Sequence, residues 1–157
     1  MALRQSVQVA QKLAVISADG YEPILIFGDY VVTPTLSAGD VLEMCVLPGG
    51  YVATTVKIMT EDLDANAAPT ILMDAGFISG VSFAVDNART CGGEAIVGSN
   101  VGQTGGVAID NVATITLAAP LPTDRSIGIK IGVASSTLIV GARIRMTVTA
   151  RPQMNGA

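Results

Sequence analysis

The sequence predicts an all-β protein, a jelly-roll-like β-sandwich of about eight strands with an extended N-terminal arm. Three observations predict it. Apolar residues alternate with period two in several separate runs, the pattern of a strand with one buried face. Seventeen glycines and seven prolines are available for turns between those runs, as many short strands require. No internal stretch carries a sustained helical stripe. A chain of 157 residues is expected to be one domain, able to bury roughly 70% of its unfolded surface. The expected boundaries are an arm or edge strand at 1–20, the sandwich at 21–152 and a short tail at 153–157.

Residues 3–16 fit two periods: Leu3, Val7, Ala10 and Ala14 form a helical stripe, while Val7, Val9, Leu13 and Val15 suit a strand. The β-branched valines favour an extended arm, and Val7 and Val9 are its candidate partner contacts. Ala18-Asp19-Gly20 reads as a turn. Ile24 to Thr33 is a mostly apolar strand, interrupted at Gly28-Asp29 and stopped by Pro34. Residues 38–80 give three more strands. After the turn Leu47-Pro48-Gly49-Gly50, the positions Val52, Thr54, Val56, Ile58 and Thr60 share one face. Ala53, Thr55, Lys57, Met59 and Glu61 share the other, wetter face. Asp62 to Pro69 is a loop, and Thr70 to Met73 resumes an extended run.

From Ser79 to Val107 the pattern weakens. Val81, Phe83 and Val85 alternate briefly, then glycines dominate from Gly92 to Gly106 around one short strand at 95–97. Irregular segments of this length are usually functional, so Gly102 and Gly105 become candidate contact positions. Ala113, Ile115 and Leu117 then alternate as a strand closed by Pro120 and Pro122. Ile127, Ile129, Ile131 and Val133 make another, followed by a turn at Ser135-Ser136. Ala142, Ile144, Met146 and Val148 face inward on the last strand, with Arg143, Arg145, Thr147 and Thr149 outward. Arg151-Pro152 ends it.

Half of the residues are hydrophobic and 14% are charged, against about 25% in ordinary soluble domains. Mean hydropathy is +0.54, yet no apolar run approaches the ~18–20 residues of a membrane span. Such a balance predicts apolar surface hidden against other subunits, or else a core rich in small aliphatic side chains. A net charge of −4 argues against general nucleic-acid binding, which draws on clustered Lys and Arg. Arg4, Gln5, Gln8, Gln11 and Lys12 interrupt the N-terminal apolar region, so no signal peptide is expected and synthesis is expected in a cytoplasm. Cys45 and Cys91 form neither a disulfide framework nor a zinc site. Cys45 is expected to be a buried thiol, and Cys91, in a loop, a more exposed one.

The chain has no histidine, which removes Ser-His and Cys-His catalysis and histidine metal sites. Asp62, Asp64 and Asn66 copy the first ligands of a calcium loop, but Ala67 and Met73 stand where Gly and a bidentate Glu are needed. They read as turn formers. Gly98 to Gly106 lacks the Lys and the strand-to-helix setting of a phosphate loop. No catalytic, cofactor or metal site is expected. Arg143, Arg145 and Arg151 recur at even spacing and form a row that can dock on an acidic partner or stand as a solvated outer face. Lys130 extends that row if its strand pairs with the last one.

Gly39-Asp40, the run Leu47-Pro48-Gly49-Gly50-Tyr51-Val52, the strand Val56-Lys57-Ile58-Met59 and Thr70 to Gly76 resemble the small jelly-roll decoration (cement) proteins of tailed-bacteriophage heads. The resemblance covers about a quarter of the chain well. It implies a non-enzymatic virion protein on the capsid surface, made in the host cytoplasm, bound to the major capsid protein and to itself as a dimer or trimer. The glycine-rich stretch 91–106 and the N-terminal arm depart from that pattern. A tail or head–tail connector component is the alternative within virions. A glycan- or receptor-binding jelly roll is the other, served by Tyr21, Phe27, Tyr30, Tyr51, Phe77 and Phe83.

Overall fold

The computed structural model describes residues 2–10 and 23–153. The elements run β1 (Leu3–Gln5), α1 (Val7–Ala10), β2 (Ile24–Val31), β3 (Val41–Leu47), β4 (Tyr51–Thr60), β5 (Leu72–Phe77), β6 (Ile96–Ser99), β7 (Gly106–Ile109), α2 (Thr114–Leu117), β8 (Arg125–Val133) and β9 (Arg143–Pro152). They form two sheets, ordered β1-β3-β8-β5-β6 and β2-β9-β4-β7. The antiparallel pairs β2·β9, β3·β8, β4·β7 and β5·β6 nest inside one another. A long hairpin rolled so that its halves fall in two sheets gives this order, which is that of a jelly roll. The all-β expectation holds, and β1 adds a short parallel edge beside β3.

The alternating runs bury what their period requires. On β9, Ile144, Met146, Val148 and Ala150 are buried between the exposed Arg143, Arg145 and Arg151. From β8, Ile127, Ile129 and Ile131 meet them in one core with Leu42, Met44, Leu47, Val56, Ile58 and Met73. On β4 the register against β9 shifts between Ala53 and Thr55. That β-bulge changes the phase of the strand, so Ala53, expected on the wet face, joins the core with Val56 and Ile58. Thr54, expected inside, instead donates its hydroxyl to the Thr149 carbonyl at 3.0 Å. Gly28 brings β2 against β3: a Cβ there would run into the carbonyl of Met44.

Several expectations need correction. The N-terminal arm is extended only through β1; Ser6 then accepts the Val9 N–H at 3.2 Å and donates to the Met44 carbonyl at 2.6 Å. A serine oxygen in that position caps a helical turn, which is α1. The rest of the arm, the turn at 18–20 and the tail beyond Gln153 lie outside the described residues. Residues 114–117 form a helical turn and not a strand, because Ile115 alone is buried there while Thr114 and Leu117 are exposed. The glycine-rich excursion holds β6 and also β7, which pairs with β4. Cys91 is buried, bridged to Ile78, and its thiol is pushed up to about 12 by burial and by the nearby Glu94 and Asp74 carboxylates. Cys45 and Cys91 are both free thiols.

Candidate contact face

The two sheets present different outer faces. That of the sheet containing β3 and β8 is roofed by residues 79–90, which leave at Ile78 and return at Cys91. Beneath the roof, Arg89 is 2% and Glu43 0% exposed, with Nη1 and Oε1 3.0 Å apart. Arg89 also donates to the carbonyls of Ser79 (2.7 Å) and Ala84 (3.0 Å) and to the Ser126 hydroxyl (3.0 Å). Glu43 accepts from the Phe83 N–H, the Ser126 hydroxyl and the Gln5 amide. Each guanidinium nitrogen of Arg89 has a partner, as a buried ion pair demands. Gly128 on β8 permits the close approach, since a Cβ there would strike the Leu42 carbonyl and Ile78.

The outer face of β2-β9-β4-β7 has no roof among the described residues, although Val52, opposite Arg151 at one end, is buried. Its register places Phe27, Thr147, Lys57 and Ile109 in one row across the strands, and Asp29, Arg145, Met59 and Val107 in the next. Val31 stands opposite Arg143, and Leu25 opposite Thr149. Leu25, Phe27, Val31, Val107 and Ile109 are between 48% and 64% exposed. The face is therefore two apolar flanks, on β2 and β7, about a cationic ridge on β9 and β4. Arg145 donates to Asp29 at 2.6 and 3.2 Å and lies 6.0 Å above the Phe27 ring. The Glu61 carboxylate accepts the backbone N–H of Arg143 at 2.8 Å. Lys57, Arg143 and Arg151 make no ion pair among the described residues.

The rim between the sheets explains the acidic loop. Asp64 is buried and accepts the N–H groups of Thr70, Ser136 and Thr137 at 2.9 to 3.0 Å, joining loop 62–70 to loop 134–137. Burial works against the charge, but those backbone donors and the Ser135 hydroxyl outweigh it and hold the carboxyl well below the usual range. Asp62, Asp64 and Asn66 each also accept an N–H two residues on. Their oxygens serve turns. Among the described residues no group of three or more acidic or Cys side chains could hold a metal.

The candidate residues read from sequence scatter. Arg143, Arg145 and Arg151 share the open face, whereas Lys130 lies on β8 in the other sheet, opposite Val41 and Asp74. Val7 is exposed on α1 but Val9 is buried. Gly102 is packed among Leu63, Ile71 and Met73. Gly105, at φ +76, lines a shallow cavity of about 300 Å³ with Ser99, Asn100, Gln103 and Thr104.

No protein-family model matches the chain, and no curated protein matches it. Among solved structures, a chain from the capsid of Ralstonia phage GP4 is 31% identical, with 98% of this chain and 100% of that one covered at a TM-score of 0.91. The chain belongs with the phage capsid proteins. A chain of the cyanophage Pam1 capsid asymmetric unit shares its fold at 22% identity and TM-score 0.67, covering 90% of this chain and 96% of that one. One from the acid-stable capsid of Helicobacter pylori bacteriophage KHP30 does so at 10% and 0.51, covering 84% and 90%.

Within this capsid-family sandwich, sequence reasoning missed the apolar flanks of the open face. Leu25, Phe27 and Val31 sit in a run apolar on both sides of the strand, which conceals which side is outside. Val107 and Ile109 lie on a strand too short to register as one. Of the aromatics proposed for glycan stacking, Tyr30 is buried and the Phe77 ring lies under Arg125 at 4.1 Å. Tyr21 lies outside the described residues.

Proposed function

We propose that this protein is a capsid decoration protein, an add-on that binds the shell of a phage head and stabilises it, in contact with the major capsid protein. The observation that carries this reading is the open outer face of β2-β9-β4-β7, seen in a chain that matches a phage capsid chain along its whole length. A subunit that tiles a shell by itself needs contact surfaces on several sides. This sandwich roofs one outer face and leaves the other apolar and cationic, as suits a protein that docks one way onto a finished lattice. Association of copies into dimers or trimers over capsomer junctions would add avidity.

Quantitative mass spectrometry of density-purified particles tests the reading. A copy number close to that of the shell protein, and lower thermal or osmotic resistance of particles lacking this chain, is the expected result. A handful of copies per particle would overturn it in favour of a tail or connector component.

A further inference from the structure

We propose that the open face of β2-β9-β4-β7 is the shell-facing side, and that it docks on an acidic, apolar-studded surface of the shell protein and not on a second copy of this chain. The inference rests on the decoration reading. Its starting point is charge segregation. Among the described residues Lys57, Arg143, Arg145 and Arg151 stand against Asp29 and Glu61, so four cations and two carboxylates leave the face at +2. The whole chain is at −4 with no histidine, so the remainder carries −6 across the neutral pH range. The positive charge lies on the same face as five exposed apolar side chains. Apolar contact supplies the burial, and the cations select a partner of opposite sign.

Two arguments set aside a second copy. Stacking this face on its own equivalent brings one arginine ridge against another, and like charges brought together across an interface are costly. The area is also small. Four strands at ~4.8 Å spacing and ~3.4 Å rise per residue span roughly 500 Å² over the length of β2, below the ~800 Å² per partner of a stable isolated pair. A site of that size works through many copies held on one lattice. The Arg145–Asp29 pair, laid against Phe27, keeps one guanidinium in place before docking.

The test is co-sedimentation of the purified full-length protein with particles of the source phage assembled without it, over a range of salt. Wild type is expected to saturate the particles and to weaken steadily as salt rises, because exposed charges are screened within ~8 Å at physiological ionic strength. The triple variant K57E/R143E/R151E, altering cations that hold no ion pair among the described residues, should bind at least about tenfold more weakly. L25S/F27S should lose binding with less salt dependence. V81S/V85S, on the roof of the opposite sheet, should bind as wild type. Circular dichroism and melting of each free variant verify the fold. If wild type binds and both open-face variants bind equally well, the face assignment is overturned while decoration stands. If wild type fails to bind bare particles, the decoration reading itself falls. If size-exclusion with light scattering shows an oligomer that the open-face variants dissolve, the occupant is a second copy and the shell assignment is overturned.

Discussion

The two outer faces of this sandwich solve the same problem in opposite ways. Both sheets bury their inner sides in one core. Outside, β3 and β8 carry a charged side chain at Glu43 and are covered by a loop that brings Arg89 to meet it. The outer side of β2, β9, β4 and β7 carries Leu25, Phe27, Val31, Val107 and Ile109 and is left open. One face buries an ion pair under a loop, and the other exposes hydrocarbon beside its cations, more apolar side chain than an isolated soluble domain needs to leave in water. What differs is the origin of the cover: one face is closed by the chain's own residues, and the other, under the docking proposed above, by a partner.

The comparison can be broken first on the roofed side. Glu43→Ala leaves Arg89 buried without its carboxylate, and should cost about 3–5 kcal/mol, read by chemical denaturation. Gly128→Ala forces a methyl into the Leu42 carbonyl and Ile78, and should cost about 1–3 kcal/mol and loosen the roof, visible as faster amide exchange at residues 79–90. Asp64→Asn acts at the rim and has a pH signature. The folded carboxyl titrates below its unfolded value of about 3.9, so its stabilisation is complete above that value and is lost as pH falls through the folded one. The variant should therefore melt below wild type at neutral pH, with the two curves converging in acid. The smallest effects belong to the open face. Phe27→Ser removes the ring beneath the Arg145 guanidinium and should cost no more than about 1 kcal/mol, and Arg151→Ala, which breaks no ion pair among the described residues, no more than about 0.5 kcal/mol; a larger loss would show that the face is already covered.

Period-two alternation made most of the sandwich legible, since β2, β9 and the second half of β4 bury every second residue and β8 turns Ile127, Ile129 and Ile131 to the core. What stayed hidden was nonlocal. Nothing around Lys130 says that β8 pairs with β3 and β5 and not with β9, so its place apart from the arginine row could not be read. Ala113, Ile115 and Leu117 alternate by coincidence in a segment where a single residue, Ile115, packs against the core. β7 escaped because it is four residues long and begins at Gly106, with φ +137. The arginine row was visible as a row. Its meaning came from Phe27, Val31, Val107 and Ile109, which belong to strands distant in sequence and become one surface only after pairing.

The most direct measurement is a cryo-electron microscopy reconstruction of the mature particle at side-chain detail. The account predicts density for this chain on the outside of the head with β2, β9, β4 and β7 turned toward the shell and Lys57, Arg143 and Arg151 beside acidic residues. A sandwich seated on the shell through its 79–90 roof, with the open face in solvent, would contradict it.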